Sequence, residues 1–145
     1  MSDVEPKTRL DKLVQVRERG EDAALEDLAR AQSSLGRATE RLVGTRQAAR
    51  SDGRGRGSAE LWMVEELAHV RALQDVRTAE REVTAALQKE QAARVGYTAA
   101  HRDAEVARRV QEKKRAEIRD EREKREQKAL DELATLRFNA RGARP

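Results

Sequence analysis

The sequence predicts an all-α fold, an antiparallel two-helix coiled-coil hairpin with a longer C-terminal helix, forming a single domain over residues 1–145. Three observations predict it. Apolar and small residues recur in alternating steps of four and three, the spacing of a coiled-coil seam. One Gly-rich run interrupts an otherwise helix-favouring chain, and a short loop between long helices makes them antiparallel neighbours. Charged residues make up 40% of the chain and aromatics 2%, too little bulk for a compact core. That composition is met either by disorder or by long helices burying a narrow seam, and the periodicity selects the helices.

The first helix is expected over about 8–50. Thr8 and Asp11 match a capping-box spacing at its start. Its seam runs through Leu10, Val14, Arg17, Glu21, Ala24, Leu28, Ala31, Leu35, Ala38 and Leu42. From Ala24 onward one register position is Ala and the other Leu, so small residues on one helix leave room for large ones on its partner. The loop is placed at 51–58, where Gly53, Gly55 and Gly57 stand at alternate positions between Ser51 and Ser58 and would not stay helical.

The second helix is expected over about 59–139, opened by Ser58 with Glu60 in the first turn. Its seam continues the same alternation: Trp62, Glu65, His69, Ala72, Val76, Ala79, Val83, Ala86, Glu90, Ala93, Tyr97, Ala100, Ala104 and Ala107. Beyond it Ile118 stands isolated among charges, and apolar spacing resumes at Leu130, Leu133 and Leu136. Folding back at the middle of the loop sets residue 10 near residue 99. On that register everything from about 105 to 140 has no intramolecular partner and is available to dock on something else.

Several kinds of chemistry are excluded. There is no cysteine, hence no disulfide and no thiolate metal site. His69 and His101 are separated by about 48 Å of helix and cannot share a metal or a proton, so no catalytic residue, no metal and no cofactor is expected. Gly53-Arg54-Gly55-Arg56-Gly57-Ser58 lacks the Gly-Lys-Ser/Thr ending of a phosphate-binding loop. The 31 basic and 27 acidic residues are interleaved. Around Lys113-Lys114-Arg115 no aromatic is placed to stack on bases, so no nucleic acid is expected. The expected location is the cytoplasm: the N-terminus has no apolar core of a secretion signal, and no stretch approaches the roughly 20 apolar residues of a membrane span. Leu61 and Trp62 near the tip read either as a packing plug or as an anchor for a partner.

Two segments resemble the FliJ family of flagellar export proteins and its virulence-type counterpart, the YscO/SctO stalk proteins. One is Leu10-Asp11-Lys12-Leu13-Val14-Gln15-Val16-Arg17-Glu18 with Glu21-Asp22. The other runs from Glu123-Lys124-Arg125-Glu126-Gln127-Lys128-Ala129-Leu130-Asp131-Glu132-Leu133 to Arg137-Phe138. The resemblance implies a central stalk of a type III export apparatus. Such a stalk enters a hexameric export ATPase, promotes its activity and contacts the cytoplasmic domain of the export gate protein; some members also handle export chaperones. It further implies a peripheral location at the cytoplasmic face of the inner membrane when assembled, and a monomer when free. By this resemblance Arg122, Arg125, Lys128, Leu130, Leu133 and Leu136 would face the ATPase, and Leu42, Leu61 and Trp62 the gate. The competing expectation is a structural coiled-coil scaffold that homo-oligomerises through its exposed seam.

Overall fold

A computed structural model describes residues 4–50 and 57–143; of the loop expected over 51–58, residues 51–56 lie outside the described residues. Among the described residues the only regular elements are two helices, α1 (Leu10–Arg50) and α2 (Ala59–Gly142). They form a helical hairpin. Both starts are made by short polar side chains. Thr8 donates its N–H to Asp11 Oδ2 at 3.1 Å and its hydroxyl to Asp11 Oδ1 at 2.9 Å, while Asp11 N–H donates to Thr8 C=O. The acidic residue three positions on thus reaches back to the capping residue's amide. At α2, Ser58 Oγ accepts the Leu61 N–H at 3.4 Å and Ser58 C=O accepts that of Trp62.

The chain divides into two compact units, one of Gly20–Ala100, the other of the residues up to Arg19 with those from His101 onward. In the Gly20–Ala100 unit the seam residues predicted on α1 from Glu21 to Leu42 are all buried or half-buried, Ala38 and Leu42 most deeply. On α2 the seam from Glu65 to Ala100 is likewise covered, with Ala79 buried. Glu90 is the one acidic residue buried in this seam, 5% exposed, and Arg94 one turn on donates to its Oε1 from Nε at 3.1 Å. Across the pair Arg41 meets Glu82 at 3.1 Å and Arg46 meets Glu80 at 3.5 Å.

Those ion pairs correct the expected register. With equal rise per residue, they set Arg50, the end of α1, level with about residue 75 of α2. The first turns of α2 therefore run past the end of α1. The chain between Arg50 and Ala59 can span up to roughly 30 Å, against roughly 24 Å of helix to be made up, so the connection permits the offset. Trp62, expected in the seam, is consequently exposed.

The other unit shows the same offset. Asp11 Oδ1 accepts from Gln111 Nε2 at 2.7 Å and lies 3.5 Å from Arg115 Nη2, while Arg115 Nη1 meets Glu5 at 2.9 Å. Residue 10 therefore lies near residue 112, not 99, and the partnered part of α2 extends to Ile118, not to about 105. Ala104 and Ala107 are buried here opposite Val14, and Pro6 is buried ahead of α1. Arg17, expected in the seam, is exposed and paired with Asp103 at 3.6 Å; Glu18 takes the inner position and meets Arg108 Nε at 3.1 Å.

Two outcomes follow from this packing. Leu42→Ala removes the largest well-buried apolar side chain of the Gly20–Ala100 unit and costs about 2 kcal/mol, the lower end for such changes because a thin seam can close up. Leu133→Ala, on an exposed surface, stays within about 0.5 kcal/mol. Thermal melts followed by circular dichroism separate the two. The second outcome concerns Asp11, whose carboxyl is held below its ordinary value first by the Gln111 hydrogen bond, then by Thr8 and the Arg115 charge. Its contribution to stability is present at and above about pH 4, the unfolded value, and is lost as pH falls through the lower folded value. Asp11→Asn therefore melts below the parent at pH 7, and the two melts converge near pH 2.

Candidate partner-binding surfaces

The face of α2 that packs on α1 does not stop where α1's cover stops. Ala104, Ala107, Gln111, Arg115 and Ile118 line the covered face of α2 in this unit. Stepping about 100° per residue along an α-helix, the same face continues through Arg122, Arg125, Ala129, Leu133, Leu136 and Ala140. From Arg119 to Ala143 every residue is exposed, Leu133 by 57% and Leu136 by 64%. A seam with small and large apolar residues in register is thus laid bare, preceded by two arginines. Lys128 and Leu130 lie about a quarter turn to either side of it. The six residues expected to face an ATPase therefore fall into a central four and two flanking ones.

The charge pattern on and just ahead of this stretch favours a helix. Acidic and basic residues alternate from Arg119 to Lys128, and Arg119 pairs with Glu112 and Lys114 with Glu117. Pairs of this exposure each contribute about 0–1 kcal/mol, enough in series to favour the helix. Thr135 adds a bond from its hydroxyl to the Asp131 carbonyl at 2.8 Å.

The three residues expected at the tip do not make one surface. Leu42 is buried between the helices, whereas Leu61 and Trp62 are exposed. Arg115, singled out with Lys113 and Lys114 as a basic cluster, belongs to the pairing: its side chain is 20% exposed and engaged with Glu5 and Asp11. The sequence signal for that was the seam spacing continued from Ala107 through Gln111. His101 Nε2 lies 3.3 Å from Glu105, and His69 is half-buried elsewhere on α2. Among the described residues no group of three or more His, Asp or Glu is placed to hold a metal ion, and no helix is long and apolar enough to cross a membrane. The concave features are grooves along helix surfaces, such as that between Glu123, Lys124, Gln127, Lys128 and Asp131. The tip residues Met63, Val64 and Leu67 were not picked out by the seam pattern, although the unbroken apolar run Leu61-Trp62-Met63-Val64 announces them.

Neither the curated proteins nor the solved structures include a match to this chain. The family model described as the flagellar FliJ protein matches residues 6–143, which takes in both helices and all the surfaces described above. Its members are structural export proteins, not enzymes. The chain belongs to the flagellar FliJ family.

Proposed function

We propose that this chain is the central stalk of a type III export apparatus, inserted in the hexameric export ATPase, promoting its activity and linking it to the cytoplasmic domain of the export gate protein. Family membership supports a role in flagellar export in general and favours the flagellar over the virulence-type system. The observation that carries the finer reading is the uncovered seam from Arg122 to Leu136. A helix that leaves its own packing face bare offers a ready docking surface, and the arginines ahead of the leucines suit an apolar patch with acidic neighbours.

In this reading Arg122, Arg125, Leu133 and Leu136 make the central contact with the ATPase, and Lys128 and Leu130 touch the adjoining subunit surface. Leu61 and Trp62 face the gate, with Leu42 holding the helices together behind them. Export chaperones are further partners, and the assembled protein sits at the cytoplasmic face of the inner membrane. When free it is a monomer.

The test is the hydrolysis rate of the cognate export ATPase with and without the protein, alongside its mass in solution by light scattering. A monomer that stimulates the ATPase supports the stalk. A stable homodimer without effect on the ATPase replaces it with a self-associating scaffold whose seam is covered by a second copy. Reversing the charges at Arg122, Arg125 and Lys128 to Glu raises the concentration for half-maximal stimulation about tenfold or more, equivalent to about 1.4 kcal/mol. Binding to the gate domain is unchanged by the same variant. Loss of gate binding with stimulation retained would invert the assigned polarity.

A further inference from the structure

Where α1 covers the later part of α2, arginines of α2 meet carboxylates from the other side. Arg108 Nε lies 3.1 Å from Glu18, Arg115 Nη1 lies 2.9 Å from Glu5, and Arg115 Nη2 lies 3.5 Å from Asp11. Val14, Ala104 and Ala107 are buried in the same stretch. The same two ingredients recur, uncovered, further along this face of α2. Arg122 and Arg125 come first, then Ala129, Leu133 and Leu136, and all five are exposed. Among the described residues no ion pair engages Arg122 or Arg125. The stretch continues an interface already formed and lacks its second helix.

Charge selects among the occupants. Arg122, Arg125, Ala129, Leu133, Leu136 and Ala140 include no acidic residue, so the same face of a second copy offers these arginines no carboxylate. A nucleic acid or an anionic lipid surface would meet Glu121, Glu123 and Glu126, which share these turns and repel it. A helix with acidic side chains has neither difficulty, and α1 already shows how one fits.

We infer that the Arg122–Leu136 face receives a helix of another protein that takes over the part played by α1. It brings carboxylates level with Arg122 and Arg125, a large apolar residue over Ala129 and small residues over Leu133 and Leu136. The occupied length is about 21 Å, or roughly four turns. That the face binds a partner at all rests on the stalk reading above; that the partner brings an acidic helix does not depend on which protein it is.

Photo-cross-linking in the flagellated host tests it, with benzoylphenylalanine placed one at a time at Ala129, Leu133 and Leu136 of the full chain. The joined peptides are sequenced by mass spectrometry. All three positions are exposed, and circular dichroism of the purified variants verifies that the helix is kept. The expected result is one segment of one other protein, joined at residues spaced as on a single helix face, with Asp or Glu a turn or two beyond them. Arg122→Glu with Arg125→Glu lowers the cross-link yield about tenfold or more, and changing those partner acids to Lys restores it. If the segment belongs to the export ATPase, the stalk reading stands as well; if it belongs to another protein, the acidic helix stands and the assignment of this face to the ATPase falls. A segment of the ATPase without acidic residues, or a yield that charge reversal leaves unchanged, overturns the acidic helix and leaves the ATPase contact intact. Cross-links to a second copy, to nucleic acid or to lipid overturn both, as does their absence from all three positions.

Discussion

The structure depends on a seam built largely of alanine. Where Ala38, Ala79, Ala104 and Ala107 sit between the helices, the backbones can approach closely, but each contact buries little apolar area. At about 25 cal/mol per Å² such a seam is held by repetition over many turns rather than by any dense cluster. Aromatic bulk would push the helices apart. The scarcity of Phe, Tyr and Trp is therefore part of the same design as the abundance of Ala.

A weak and repetitive seam does not choose its own register well, since a shift by one heptad sets alanine against alanine again. Polar contacts across the pair make the choice. Glu18 with Arg108, Asp11 with Gln111 and Arg115, and Glu5 with Arg115 select it in one unit. Arg41 with Glu82 and Arg46 with Glu80 select it in the other. Each is worth little alone, yet a shifted register loses all of them in its unit together.

Register then decides which parts of α2 run past α1. The covered face of α2 reaches Ile118 in one unit, and in the other α1 ends level with about residue 75 while the seam face stays half-buried as far as Glu65. What lies beyond is chemically unlike at the two places. After Ile118 the seam face continues with arginines and then leucines, on a helix whose remaining sides are charged. Before residue 75 the exposed Leu61, Trp62, Met63, Val64 and Leu67 share the helix with Glu60, Glu65, Glu66, His69 and Arg71. On the proposed stalk reading, different partners call for contacts of different character, and the offset of two helices of unequal length supplies them.

The sequence by itself determined the fold class, the two helices, their antiparallel pairing and almost every seam position, because a four-three spacing and a lone glycine run leave few other arrangements. The Thr8–Asp11 and Ser58 caps were legible for the same local reason. Trp62 and Arg17 were misplaced because periodicity says which face is apolar, not whether a partner reaches that far along it or whether a neighbour such as Glu18 takes the inner place. The candidate site was legible as composition, in the Arg122–Leu136 stretch, but its extent was not. The starting point of the bare surface depends on how far one helix slides past the other. Only the tertiary structure decided that slide, through ion pairs between residues some 30 to 110 positions apart, whose partners no local pattern can identify.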